Sequence, residues 1–223
     1  IGLFESSFQW KYPLWYSKNV VLKKCSLFEM ARAGIWYTEN ISIEDTIIEA
    51  PKNFRRTKGI VLKRVAMTNA AETLWNCEDI TMEQVTARGD YFAMNCSNMN
   101  INGFQLVGNY SFENVTVYDS YIAGEYLGWN SRNLKFVNCV IESLQGMCYI
   151  ENLEMENCRL VNTTQAFEYS TVDVQVNGMI DSVMNPASGI IRADKIQEII
   201  LDETKVVPEQ TRIITGEVLK SAV

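Results

Sequence analysis

The chain has 223 residues, 47% of them hydrophobic, and sets 27 Asp and Glu against 20 Lys and Arg, for a net charge of −7 and a pI of about 4.8. A nucleic-acid or anionic-membrane partner usually needs a basic surface, so neither is expected, and no run of eighteen apolar residues offers a membrane span. Histidine is absent, which excludes Ser-His-Asp and Cys-His catalysis and imidazole-ligated metals, leaving acid–base work to Asp, Glu, Lys, Tyr or Cys.

The first stretch, IGLFESSFQW, opens on Ile1 in the middle of a pattern, with no basic-then-apolar leader and no amphipathic cap. An uncovered solenoid end would expose strand edges, so residues are expected to be missing ahead of it. From there a motif recurs. NLKFVNC at 133–139 is nearly repeated by NLEMENC at 152–158. Followed along the chain, its opening residue is Asn19, Asn40, Gly59, Asp79, Asn98, Asn114, Asn133, Asn152, Asp173 and finally Lys195. The intervals run from 19 to 22 residues, except for sixteen between Asn98 and Asn114.

One residue after these anchors come Val20, Ile41, Ile60, Ile80, Met99, Val115, Leu134, Leu153, Val174 and Ile196. Three residues after come Leu22, Ile43, Leu62, Met82, Ile101, Val117, Phe136, Met155 and Val176, with mostly polar residues such as Ser42, Thr81 and Lys135 between. Apolar–polar–apolar alternation is a strand with one buried face. The interval leaves too little chain for a crossover helix, so like strands stack in parallel, one coil about 4.8 Å above the last. The leucine-and-asparagine spacing of leucine-rich repeats is missing. The expected fold is all-β, a single-stranded parallel β-helix of about ten coils over 1–200, with 201–223 as a C-terminal cap or tail. Its Asn/Asp/Gly anchors would form a ladder at a bend, amides bonding from coil to coil. The N-x-S/T sites at Asn40 and Asn114 lie on that ladder, where a glycan does not fit. The short interval before Asn114 points to a shortened corner or a missing part of a coil.

Six cysteines, Cys25, Cys77, Cys96, Cys139, Cys148 and Cys158, form no C-x-x-C pair, so metal and redox motifs are not expected. They read as small buried residues kept reduced in a cytoplasmic protein. In register, Cys139 lies over Cys158 in a column with Ser120, Thr46 and Cys25, and Cys77 lies over Cys96.

Chemistry is expected on the side of the coil that precedes each anchor. Four residues before the anchors stand Trp15, Trp36, Arg55, Trp75, Met94, Tyr110, Trp129, Cys148 and Tyr169, and next to them Tyr16, Tyr37, Arg56, Asn76, Asn95, Ser111, Asn130, Tyr149 and Ser170. Consecutive strand residues face opposite ways, so one of these columns should be buried and the other exposed. Slightly upstream runs a charged column, Arg32, Lys52, Glu72, Asp90 and Glu125, which passes from basic to acidic. Read as a groove, Trp36, Trp75 and Trp129 are stacking platforms, with Tyr37, Tyr91 and Tyr126 beside them. Arg32, Lys52, Arg55 and Arg56 are anion contacts, and Glu72, Asp90 and Glu125 are acid–base candidates. Glu72 and Asp90 fall on adjacent coils, within reach of the separation at which retaining glycosidases work. Read otherwise, the tryptophans are filler and the charges are surface ion pairs. There is no G-x-G-x-x-G, P-loop or D-x-D run, so no cofactor and no metal is expected.

KYPLWY (11–16), ARAGIWYT (31–38), NAAETLWNC (69–77), GNYSF (108–112), GEYLGWNS (124–131), QGMCYIENL (145–153) and AFEYSTVD (166–173) together resemble a bacterial family known as domain of unknown function 3737. The resemblance covers nearly the whole chain. It implies a right-handed β-helix similar to pectate-lyase-like proteins, in the bacterial cytosol, and it brings no established activity or catalytic residue. Two functions are therefore expected as alternatives: binding or modification of a carbohydrate on the aromatic and charged groove, or a non-enzymatic scaffold that grips a protein partner through the same face.

Overall fold

A computed structural model describes residues 1–108 and 110–222, and their side chains except those of 110–112 and 220–222. The chain is a parallel β-solenoid, with strands stacked coil upon coil, in two compact units, Ile1–Val115 and Thr116–Val223. Among the described residues there is no α-helix, only a short 3-10 turn at Pro208–Gln210. No helix among the described residues is long and apolar enough to cross a membrane.

In the first unit the repeat is realised as written. Strands Lys18–Lys23, Glu39–Ile48, Lys58–Met67, Glu78–Glu83 and Phe92–Asn102 pair in parallel. Val20 lies on Ile41, Ile41 on Ile60, Ile60 on Ile80 and Ile80 on Met99. Leu22, Ile43, Leu62, Met82 and Ile101 form the second column, and both columns are buried. Each rung is therefore covered by the next, and stability comes from neighbouring coils. Phe54, Phe92 and Phe104 are buried as well, with the rings of Phe92 and Phe104 5.8 Å apart.

The anchors turn the chain. Asn19, Asn40, Gly59, Asp79, Asn98, Asn114, Asn133 and Asn152 all hold positive φ, from 51° to 71°, the left-handed region that Gly, Asn and Asp tolerate best. Their amides bond along the stack: Asn40 Nδ2 donates to Asn19 Oδ1 (3.2 Å), Asn98 Nδ2 to Asp79 Oδ1 (3.1 Å) and Asn152 Nδ2 to Asn133 Oδ1 (3.0 Å). A second left-handed column, not foreseen from the sequence, bends the coil after the strand. In it Asn138 donates to Asp119 (3.0 Å) and Asn157 to Asn138 (2.8 Å).

In the second unit the expected register fails after Asn152. Leu134 lies on Leu153 as expected, but Leu153 lies on Val172 and Met155 on Val174, two residues earlier than the anchor Asp173 requires. Thr171 takes the place opposite Asn152, whose N–H donates to Thr171 Oγ1 (2.7 Å), while Asp173 points outward to Arg192 (2.5 Å). Lys195 is not an anchor either: it pairs with Met179, and Val172 is followed by Gly189. Val172, Val174 and Val176 alternate with polar residues, so both registers bury β-branched side chains, and Asp173 imitates an anchor by type alone. Thr211–Ala222 pairs in parallel with Ser188–Ile200, so the last segment covers that coil as a further rung.

The six cysteines are free and buried. Five of them occupy columns in which a side-chain donor reaches a carbonyl of the previous coil, while Cys148 Sγ lies 3.5 Å from Gln165 O of the following coil. Cys77 Sγ lies 3.1 Å from Phe54 O, as Thr57 Oγ1 lies 3.0 Å from Ile35 O and Thr38 Oγ1 2.7 Å from Leu14 O. Cys139 and Cys158 do the same with Val117 O (3.4 Å) and Phe136 O (3.5 Å). Cys, Thr and Ser share these columns because each carries one small donor.

Candidate functional site

Neither aromatic column is buried in the first unit, although Cys148 and Ser170 continue the two columns as buried residues in the second. Tyr16, Tyr37, Arg56, Asn76 and Asn95 hold positive φ, from 50° to 58°. A left-handed residue breaks strand alternation, so consecutive side chains both reach the surface. The Trp15–Trp36–Arg55–Trp75 column is half-buried, and the Tyr16–Tyr37–Arg56 column stands farther out, Tyr16 being 69% exposed. The expected buried-and-exposed pair of columns is corrected accordingly. The side chains of Tyr110 and Ser111 lie outside the described residues.

Stacking runs along the coils. The rings of Trp15 and Trp36 are 5.2 Å apart and 9° from parallel. The Arg55 guanidinium carbon sits 4.6 Å from the Trp36 centroid and 4.7 Å from that of Trp75. Each cation–π contact of this kind contributes about 0.5–2 kcal/mol, more as water is excluded. Tyr16 and Tyr37 stack at 4.7 Å and 4°, with the Arg56 guanidinium 5.9 Å from Tyr37. Each indole is also fixed by its nitrogen. Trp15 donates to Ala33 O, Trp36 to Lys52 O (2.8 Å) and Trp75 to Tyr91 O (2.6 Å). Trp36 thus has an indole on one face, a guanidinium on the other and a bound N–H, which leaves an edge for solvent.

The charges lie beside this array. Glu72 Oε1 is 2.9 Å from Lys52 Nζ and Oε2 is 3.9 Å from Arg55 Nη2. Arg55 Nε is buried with no hydrogen-bond partner among the described residues. Asp90 follows on the next coil, where its carbonyl accepts from the Glu72 N–H (3.0 Å), and Tyr91 beside it is exposed. Arg32 lies on an earlier coil, its carbonyl accepting from Tyr12 N (3.4 Å).

Glu125, Tyr126 and Trp129 belong to the second unit and its own aromatic array. Tyr126 meets Trp129 at 4.8 Å, Trp129 meets Tyr149 at 5.4 Å, both edge-on, and Tyr149 meets Tyr169 at 5.3 Å. The Trp129 indole donates to Gln145 O (2.9 Å). A hydrogen bond with Glu125 pushes the Tyr126 phenol above its ordinary pKa.

The sequence reading passed over three neighbours on the first-unit face: Trp10, 76% exposed, and the exposed Lys11 and Tyr12. It also passed over an outward groove of about 390 Å³ floored by Val21, Ser42, Val61 and Thr81, with Asn40 and Gly59 at its side. The signal for the first was composition, since Trp, Lys and Tyr adjoin in WKY; the groove has none, because its floor residues look like ordinary outward strand positions. Among the described residues no three of His, Cys, Asp and Glu gather to hold a metal.

A family described as "Protein of unknown function (DUF3737)" matches residues 1–115 and again 112–214. The chain belongs to this family. Each of the two DUF3737 matches carries one aromatic array: Trp15 to Trp75 in the first, Trp129 to Tyr169 in the second. Curated proteins give no match. Among solved structures, trypsin-treated QnrB1, a plasmid-mediated fluoroquinolone resistance protein, is similar at 13% identity and a TM-score of 0.28, over 72% of this chain and 89% of that one. The surface protein and adhesin PfbA of Streptococcus pneumoniae is similar at 7% identity and a TM-score of 0.41, over 94% of this chain and 75% of that one.

Proposed function

We propose that the chain is a non-catalytic docking protein whose first-unit aromatic–arginine face binds a partner protein. The observation that carries this reading is the closed stack at Trp36. A sugar platform needs a free ring face, and both faces of Trp36 are taken, by Trp15 and Arg55. What the surface offers instead is tyrosine rings, indole edges and guanidinium groups, the side chains that dominate protein interfaces. Glu72 is engaged by Lys52 and Arg55, so its oxygens are committed to holding the array rather than to acid–base work on a substrate.

The carbohydrate reading keeps one foothold, in the second unit. There Trp129 meets its neighbours edge-on rather than flat, and Tyr149 is exposed beside it. Glu125 would supply the carboxylate.

Photo-crosslinking separates the two. A photoreactive residue replaces Tyr16, or Val61 as a control in the groove, in the full chain expressed in its own cell. A discrete crosslinked protein from position 16 and none from position 61 supports docking. No crosslink from position 16, with thermal stabilisation by an oligosaccharide that is lost in Trp129→Ala, favours the sugar reading.

A further inference from the structure

Most cations of the first unit are spoken for. Lys18 pairs with Glu39 (2.7 Å), Lys23 with Glu44 (3.2 Å), Lys24 with Glu5 (3.5 Å), Lys58 with Glu78 (3.0 Å) and Lys63 with Glu83 (2.8 Å), while Arg64 holds Asp45 (2.6 Å). In-register stacking produces this, because alternating signs on neighbouring rungs attract and like signs repel. The aromatic face departs from the rule. Lys11 and Arg32 are exposed there with no carboxylate partner among the described residues, and Arg56 has only the Tyr37 ring. Lys52 and Arg55 share the single carboxylate of Glu72. Elsewhere in this unit Arg88 is the one other cation without a partner among the described residues.

From this we infer that the segment docked on the aromatic–arginine face is acidic: an Asp- and Glu-rich peptide stretch with interspersed apolar or aromatic residues. The inference rests on the docking reading above and names its partner's chemistry. A chain of net charge −7 repels acidic partners at long range. A local surplus of guanidinium groups beside tyrosines selects them at contact and gives the complex its register. Arg56 and Arg32 can each take a carboxylate in a bidentate pair, while Tyr16 and Tyr37 supply apolar area without loss of rotamer freedom. Exposed Glu29, three residues before Arg32, is the carboxylate on this stretch that would oppose the partner.

The test is fluorescence anisotropy on the full chain with three labelled probes of equal length: a Glu-rich peptide containing Tyr and Leu, the same peptide with Lys for Glu, and a single-stranded oligonucleotide. The inference expects the Glu-rich peptide to bind, the Lys-rich peptide and oligonucleotide not to, and Arg32→Glu with Arg56→Glu to weaken binding by about tenfold or more. Both positions are exposed and Arg56 touches only the Tyr37 ring, so the double variant should stay folded, with a cooperative melting transition. Equal or tighter binding of the Lys-rich peptide or oligonucleotide overturns the inference, as does acidic-peptide binding unmoved by the double variant, or no binding of the acidic peptide. A crosslinked partner from position 16 whose contact segment is neutral or basic also overturns it, and leaves the docking reading standing. Absence of any crosslink counts against the docking reading itself.

Discussion

The Arg55 guanidinium lies 4.6 Å from the Trp36 ring and fills the rung that Trp15 fills on the other side of that ring. A planar cation here continues an indole stack, which a flexible ammonium cannot do. Arg55→Lys should therefore cost about 1 kcal/mol of stability, and Trp75→Ala should cost less in the Arg55→Lys background than in wild type. Urea denaturation of the four proteins in this cycle measures the coupling; strict additivity would mean that the stack is geometry without energy.

Gly189 and Gly59 both hold positive φ, with opposite consequences. A Cβ at Gly189 would sit 1.9 Å from Val172 O at φ +117°, against backbone that cannot move aside. Gly189→Ala should lose at least about 3 kcal/mol or fail to fold. At Gly59 the nearest atom is the tip of Asn40, 2.7 Å from the added Cβ, and φ is +71°, close to that of Asn40 itself. Gly59→Asn should add one amide bond, donated to Asn40 Oδ1, with none returned by the acceptor-only Asp79 carboxylate, and gain up to about 1 kcal/mol. Melting temperatures of the two variants should move in opposite directions.

Burial pushes the Cys148 thiol up from 9.0 to about 11 and raises that of Cys96 as well. In the unfolded chain these thiols ionise first, so protons leave on unfolding above pH 9. Stability should be flat below that pH and fall as pH rises from about 9 through about 11. At pH 8 a thiol reagent should label none of the six cysteines in the folded protein and all of them in urea. Cys77→Thr should be tolerated, since Thr57 occupies the same column and makes the same contact.

Lys58 sits between Glu39 and Glu78 in a column of alternating sign. Its ammonium is held above the ordinary lysine range by its hydrogen bond to Glu78. Lys58→Glu places three carboxylates on successive rungs and should lower the melting temperature, with added salt restoring part of the loss. A salt-independent loss would point to packing instead.

The buried columns were legible because each rung alternates apolar and polar residues at an interval that hardly changes from Val20 to Met99. The register after Asn152 was not, since Val172, Val174 and Val176 satisfy burial equally well in either frame. The covered faces of Trp36 were illegible for another reason. They depend on a left-handed residue after each tryptophan, and Tyr16, Tyr37 and Arg56 do not advertise that conformation. Asn76, Asn95 and Asn130 in the same column do, and they are the signal from which the outward turn of both columns can be read. That Arg32 and Arg56 lack a carboxylate partner among the described residues needed coordinates, because neither sign nor spacing says which surface charges find partners.

The most direct test of docking is the crosslinking yield from a photoreactive residue at position 16, compared between the wild-type background and Tyr37→Ala with Arg56→Ala. The account predicts one discrete partner in the wild-type background and its loss in the double variant, which should still melt cooperatively, with a midpoint lowered by the lost Tyr16–Tyr37 stack. A yield that survives the double variant would place the interaction off the aromatic–arginine face and contradict the account.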